Sequence, residues 1–166
     1  MYKDNDHIYV KKILDKNITV SSNKLGDDID KVIKDTLDSD ISGICINEGY
    51  VKPNSTKILM RSEGNMRINN FKSVVYYTIK YEVMICCPSE NQIIDCIVSE
   101  VSKSHITCYI DNIDTSPLNI FLTKQYHIGN EEYSKIKLGN TIKIKILATK
   151  FEYLDKQILV IGLFLK

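Results

Sequence analysis

The sequence predicts an α+β protein that is mostly β: an antiparallel sheet with one packed helix, followed by a small barrel of five short strands. Three observations carry this. The chain holds 26 Ile and 10 Tyr but a single alanine, Ala148, and β-branched and aromatic side chains suit a pleated surface. Apolar residues alternate with period two along much of the second half. A helical period shows clearly in one place, "DDIDKVIKDTL". At 166 residues and 19.1 kDa the chain has room for one ordinary domain or two small ones.

Taken in order, "HIYVKKIL" and "NITV" predict two extended segments on either side of a turn at Asp15 to Asn17. Gly26 then opens the helix. Ile29, Val32, Ile33, Thr36 and Leu37 share one face, and Asp30, Lys31, Lys34 and Asp35 face water. Asp27 and Asp28 suit the positive end of that helix, and Ser39 to Ser42 end it. "GICINEGYV" reads as a strand breaking at Gly49, "KPNSTKILM" as a further short strand and "RSEGNMRINNFKS" as a polar loop. In "VVYYTIKYEVMICC", Val75, Tyr77, Ile79, Tyr81, Val83 and Ile85 form one apolar and aromatic face, and the opposite face is mixed. Pro88 marks a boundary, which predicts domains of 1–87 and 88–166.

Five segments follow: "QIIDCIVSEV", "HITCYI", "NIFL", "TIKIKILATKF" and "QILVIGLFL". Short strands separated by turn residues, with no long helical pattern, predict a closed or nearly closed barrel. Strict alternation puts Ile142, Ile144, Ile146 and Ala148 on one side of the fourth strand. Thr141, Lys143, Lys145, Leu147 and Thr149 take the other. Asp155-Lys156 reads as a hairpin turn, and "HIGNEEYSKIKLG" as a polar, mobile insertion with at most a short helical turn.

Composition excludes several classes. Lys and Arg total 22 against 21 Asp and Glu, too even for a protein held on nucleic acid by bulk charge. Arg61 and Arg67 are the two arginines beside 20 lysines, which argues against bidentate base readout. Cys45, Cys86, Cys87, Cys96 and Cys108 show no Cys-x-x-Cys spacing, and His7, His105 and His127 are scattered, so no metal site is expected. Buried reduced thiols, the absence of a long apolar run and a polar N-terminus predict a soluble intracellular protein with no membrane contact. No nucleotide-binding, metalloprotease or nucleophile-elbow motif is present, so no catalytic residue and no cofactor is expected.

Two groups of residues invite a binding role. Lys143, Lys145, Lys150 and Lys156 gather on one hairpin where Glu152 and Asp155 are the nearby acids; a solvated strand face and a phosphate-contacting patch are both open readings. Lys103 and Lys124 extend the patch if their loops converge. His105 and Tyr109, on one short strand, are either ordinary barrel residues or stacking partners for bases. In the first half, Gly43 and Gly49 bracket a strand whose Asn47-Glu48 end reads as a tight turn, either structural or a docking tip.

In aggregate these features resemble the seventh subunit of eukaryotic RNA polymerase II and its relative in the archaeal polymerase. The resemblance covers about residues 7 to 165. It is carried by "LGDDIDKVIKDTL", "ISGICINEGYV", the central run with Val75, Tyr77, Pro88, Asp95, Val98 and Val101, and the hairpin "IKILATKFEYLDKQILVIGLF". Two features depart from the family pattern: Ser104-His105-Ile106 replaces a glycine step at the second barrel strand, and "RSEGNMRINNFKS" replaces a glycine-rich loop. The bias toward Ile, Asn and Lys, together with the loose match, suits a divergent version encoded by a large DNA virus.

The resemblance implies an N-terminal tip domain and a C-terminal OB-fold barrel in a non-catalytic stalk subunit. The tip would dock on the largest and sixth polymerase subunits through Gly43, Asn47, Glu48, Gly49, Tyr50 and Val51. The barrel would meet nascent single-stranded RNA through Lys103, His105, Tyr109, Lys143, Lys145, Lys150 and Lys156, and a fourth-subunit-like protein would complete the stalk. The nucleus is the expected site of a cellular version, the cytoplasm and virion that of a viral one. The alternative is a stand-alone OB-fold protein that binds single-stranded nucleic acid.

Overall fold

The computed structural model describes residues 8–26, 28–69 and 72–165. His7, Asp27 and Phe71, which entered the sequence reading, lie outside them. The strands are β1 (Tyr9–Ser21), β2 (Cys45–Ile46), β3 (Gly49–Val51), β4 (Lys57–Arg61), β5 (Asn65–Asn69), β6 (Lys72–Cys86), β7 (Ile93–Val101), β8 (His105–Tyr109), β9 (Leu118–Thr123), β10 (Thr141–Lys150) and β11 (Ile158–Leu165). The helix α1 spans Ile29–Ile41. The predicted class is borne out: a mostly-β chain with a sheet domain, one helix among the described residues, and a closed five-stranded barrel. Two compact units divide the fold. Val10–Ser42 and Val51–Ile85 form the first; Ile8, Tyr9, Gly43–Tyr50 and the chain from Cys86 form the second.

In the first unit β6 is the central strand, hydrogen-bonded to β1 and paired antiparallel with β4 and β5. Its predicted apolar face is buried from Val75 through Ile85. The helix turns Ile33, Leu37 and Ile41 inward. At its N-terminus the Asp28 carboxylate accepts a hydrogen bond from the Asp30 N–H at 3.2 Å, capping one of the free donors there.

Two predictions fail here. No turn interrupts β1 at Asp15 to Asn17. Its alternation of exposure runs on through them, because their polar groups find partners: Lys16 Nζ pairs with Asp40 at 2.7 Å, and the Thr78 hydroxyl donates to Asn17 Oδ1 at 2.9 Å. The supposed polar loop contains β5, which pairs from Asn65 opposite Tyr76 to Asn69 opposite Lys72. Gly64, in the break between β4 and β5, is packed tightly. A Cβ there would meet Val75 Cγ1 at 2.7 Å and the Tyr77 hydroxyl at 2.9 Å.

The second unit closes in the order β10-β11-β9-β8-β7. Its pairings are antiparallel except for β9 and β11, which run parallel. In chain order this is the 1-2-3-5-4 closure of an OB barrel, the small Greek-key barrel found in many binding proteins. Leu118, Ile120, Leu122, Ile144, Ile146, Ile158 and Val160 are fully buried inside it. Ile8, Cys45, Tyr50 and Cys86 join the same core.

The segment between β9 and β10, polar in sequence, holds the short helical turn expected of it and packs on the barrel. It makes short 3-10 turns at Lys124–His127 and Tyr133–Lys135, and buries His127, Tyr133 and Ile136. His127 fixes it. Its Nδ1–H donates to the Thr123 carbonyl, and its Nε2 accepts the Phe164 N–H, both at 2.8 Å. The Tyr133 ring stacks on the imidazole at 4.3 Å, and its hydroxyl donates to the Leu122 carbonyl at 2.8 Å.

The adjacent Cys86 and Cys87 take opposite sides, one buried and one exposed, so the expectation of buried thiols fails at Cys87. Burial, reinforced by Asp155, pushes the Cys45 thiol up to about 11. Burial, with Cys87, Cys45 and Asp111 nearby, pushes Cys86 up to about 12. Cys96 is held well above the ordinary thiol range by its hydrogen bond with Cys108 and by burial. Alkylation of the native protein at neutral pH is therefore expected to label Cys87, with the other four thiols reacting after denaturation; mass spectrometry of the labelled chain checks this. Folding holds these protons more tightly, so the thiols' contribution to stability is intact below about pH 9 and falls as pH rises toward 11 to 12.

Candidate functional site

An open groove of about 960 Å³ crosses the outer face of the barrel. Strand register places its residues. Across β8, β9, β11 and β10 the pairs Thr107–Phe121, Phe121–Ile161 and Ile161–Ala148 stand side by side. A flanking row joins Asn119, Leu159 and Lys150. His105 lies opposite Thr123 and meets Phe121 edge to face, with ring centroids 5.6 Å apart. Ile128, just after the first 3-10 turn, is 83% exposed at the groove.

The strict alternation expected along β10 breaks at Leu147. The ladder to β11 shifts by one residue between Ile146 and Ala148, a β-bulge. Ala148, expected to face inward with the isoleucines, is exposed instead, and Lys150 shares its side. This re-phasing is what brings Lys150 to the groove.

The predicted RNA-contacting residues separate into groups. His105 and Lys150 line the groove. Tyr109 is half-buried, two positions beyond Thr107 on the outward side of β8. The loops of Lys103 and Lys124 come together, the condition set for their extending the patch: the Lys124 N–H donates to the Ser104 carbonyl at 3.0 Å. Lys143 and Lys145 point outward on β10, opposite Asp95 and Ile93 of β7. Asp95 is thus an acid beside Lys143 that the sequence reading did not count. Lys156 is exposed in the connection between β10 and β11.

The docking candidates also divide. β2 and β3 form a hairpin, with Cys45 opposite Tyr50 and Ile46 opposite Gly49. Gly49 takes a positive φ of 129° after the Asn47-Glu48 turn, a conformation open to glycine. The hairpin is held to the β10–β11 connection, since the Cys45 N–H donates to the Asp155 carbonyl at 2.7 Å and its carbonyl accepts the Leu154 N–H at 2.9 Å. Tyr50 and Val51, named as docking side chains, are both buried, although as neighbours on a strand they point to opposite faces. Gly43 is half-exposed, Gly49 is buried, Asn47 is exposed and Glu48 is half-exposed.

Sequence reasoning missed Phe121, Ile128, Leu159 and Ile161. The available signal was the outward parity of Leu159 and Ile161 on a strand whose inward positions were already filled. Among the described residues no group of His, Cys, Asp and Glu is placed to hold a metal ion, and no helix is long and apolar enough to cross a membrane.

No family model matches the chain. Over 165 residues, 93% of this chain and 81% of the other, it is 23% identical to an Acanthamoeba polyphaga mimivirus protein named "Putative DNA-directed RNA polymerase subunit". The chain is similar to a viral RNA polymerase subunit. The resemblance drawn from the residues alone is borne out at that level, while the relative's name specifies no counterpart in the cellular enzyme's numbering. The similarity to this viral subunit runs through both units of the fold.

Proposed function

We propose that this chain is a non-catalytic subunit of a multisubunit DNA-dependent RNA polymerase, placed in the stalk. The observation that carries this is similarity to a viral polymerase subunit across nearly the whole chain, on a sheet domain followed by an OB barrel. In this reading the hairpin turn at Asn47 and Glu48 faces the largest and sixth subunits, since the buried Tyr50 and Val51 are not free to do so. A fourth-subunit-like protein completes the stalk. Lys103, His105, Tyr109, Lys143, Lys145, Lys150 and Lys156 contact exiting RNA weakly, supplying phosphate contacts more than sequence readout. A viral version works in the cytoplasm and virion, a cellular one in the nucleus.

Affinity purification of the tagged chain from its native source at moderate salt tests the assignment. Large polymerase subunits are expected at stoichiometric amounts. Lys143→Glu with Lys145→Glu should keep those subunits but lower RNA crosslinking to this chain several-fold. A second reading, a free single-stranded nucleic-acid binder, rests on the OB closure of the barrel and its outward lysines, Lys143 and Lys145. Recovery of nucleic acid with no polymerase subunit would replace the stalk assignment with that one.

A further inference from the structure

The groove differs chemically from the lysine rows around it. Leu159 and Ile161 are 44% and 38% exposed, and with Ala148, Phe121 and Ile128 they make an apolar floor. Lys124 and Lys150 are its charged lining residues, and no Asp or Glu lines it. We infer that this groove docks an amphipathic helical segment of a protein partner, its apolar stripe on Phe121 and Ile161 and its acidic flanks beside Lys124 and Lys150. The inference does not depend on the stalk assignment; at the groove itself it replaces RNA with a protein partner at His105 and Lys150, and leaves the RNA contacts to the other lysines.

Three physical arguments select that occupant. The barrel is closed, so the strands under the groove offer no free edge; an extended peptide cannot add as another strand, and an occupant must dock through side chains. Phe121, Ile161 and Ala148 lie on three neighbouring strands, about 10 Å across at the usual strand spacing. That is the width of one helix, whose apolar residues at i, i+3 or i+4, and i+7 form a matching stripe. Branched aliphatics make a poor surface for stacked bases, and the Phe121 ring is already met by His105, so the floor favours protein over nucleic acid. Two cations without a nearby lining carboxylate then favour acidic flanks.

The test pans the full chain against a display library of peptides of ~16 residues, about 24 Å long as helices. Enrichment of helical sequences with an apolar stripe and flanking Asp or Glu is expected. For an enriched peptide, Ile161→Asp should weaken binding by about tenfold or more, as for a central apolar anchor. Lys124→Glu with Lys150→Glu should weaken it several-fold. Ile161 faces outward, and circular dichroism verifies the variant's fold; Leu159→Asp serves as a second variant if Ile161→Asp does not fold. No enrichment, enrichment of basic or extended peptides, or binding indifferent to the substitutions on the groove floor overturns the inference. An oligouridylate that binds the wild-type chain and is lost on Ile161→Asp would reassign the groove to RNA. A concentration-dependent dimer dissociated by Ile161→Asp would reassign it to a second copy, and either result overturns the proposal.

Discussion

Replacing His127 with alanine is expected to destabilise the barrel by about 3 to 5 kcal/mol, the largest loss from any one side chain outside the apolar core. The imidazole bonds at both nitrogens, to the Thr123 carbonyl and the Phe164 N–H. Truncation leaves each of those backbone groups short of a partner, at about 1 to 3 kcal/mol apiece, and opens a space beside Tyr133 that adds a packing loss. A domain of this size has roughly 5 to 15 kcal/mol of stability in all, so the variant approaches its folding threshold. His127→Phe separates the contributions. It restores ring volume and stacking without the hydrogen bonds, and should still lose about 2 to 4 kcal/mol. Urea midpoints at unchanged slope measure both variants. Full recovery in His127→Phe would mean that the ring, and not its two nitrogens, secures the segment between β9 and β10.

The second large effect is expected at Gly162. This residue is on the inward side of β11, and a Cβ there would meet Ile144 Cδ1 at 2.8 Å and Leu122 Cδ2 at 2.9 Å. Both neighbours are fully buried in the barrel, so neither can swing aside without displacing others. Overpacking of this kind costs about 1 to 3 kcal/mol. Relief of glycine's extra freedom in the unfolded chain returns about 0.4 to 1 kcal/mol, so the clash wins and Gly162→Ala destabilises. Gly162→Val should prevent closure. Ile144→Val removes the closest atom and on its own costs about 0.5 to 1.5 kcal/mol. Combined with Gly162→Ala it should restore about 1 kcal/mol or more relative to additivity. Strict additivity would place the strain elsewhere in the barrel.

Much of this fold was legible because its signals are local. The alternation of β6 and the stripe of α1 each depend on a few consecutive side chains; the whole predicted β6 face is buried, and in α1 Ile33 and Leu37 are buried while Ile29, Val32 and Thr36 are half-buried beside them. The failures share a different cause. The bulge at Leu147 is invisible to alternation, because Leu147 and Ala148 are both apolar and either parity reads as a strand. β1 was obscured by Asp15 to Asn17, whose partners Asp40 and Thr78 lie 24 and 61 residues away; β5 is the exception, a polar Asn65–Asn69 run that pairs with the strand directly after it. The anchoring role of His127 depends on Phe164, 37 residues away. At the groove, the lysines and His105 were visible as residue types. Their gathering with Phe121, Leu159 and Ile161 depends on the parallel pairing of β9 and β11, which no short-range pattern encodes.

That parallel pairing also bears on how the protein is made. β9 cannot be covered on its β11 side until β11, the last of the five barrel strands in chain order, has left the ribosome. Until then the buried residues of β7 through β10 form an open, apolar sheet. The Gly43–Tyr50 segment belongs to the same unit, so it emerges early and waits for partners made about a hundred residues later. Closure of this kind carries a high contact order, which slows folding and lengthens exposure to aggregation. The first unit has its helix and β6 complete well before. In the growing chain, the sheet domain is therefore positioned to fold while the barrel is still a set of unpaired strands, and the barrel is the stage at which misfolding and chaperone capture concentrate.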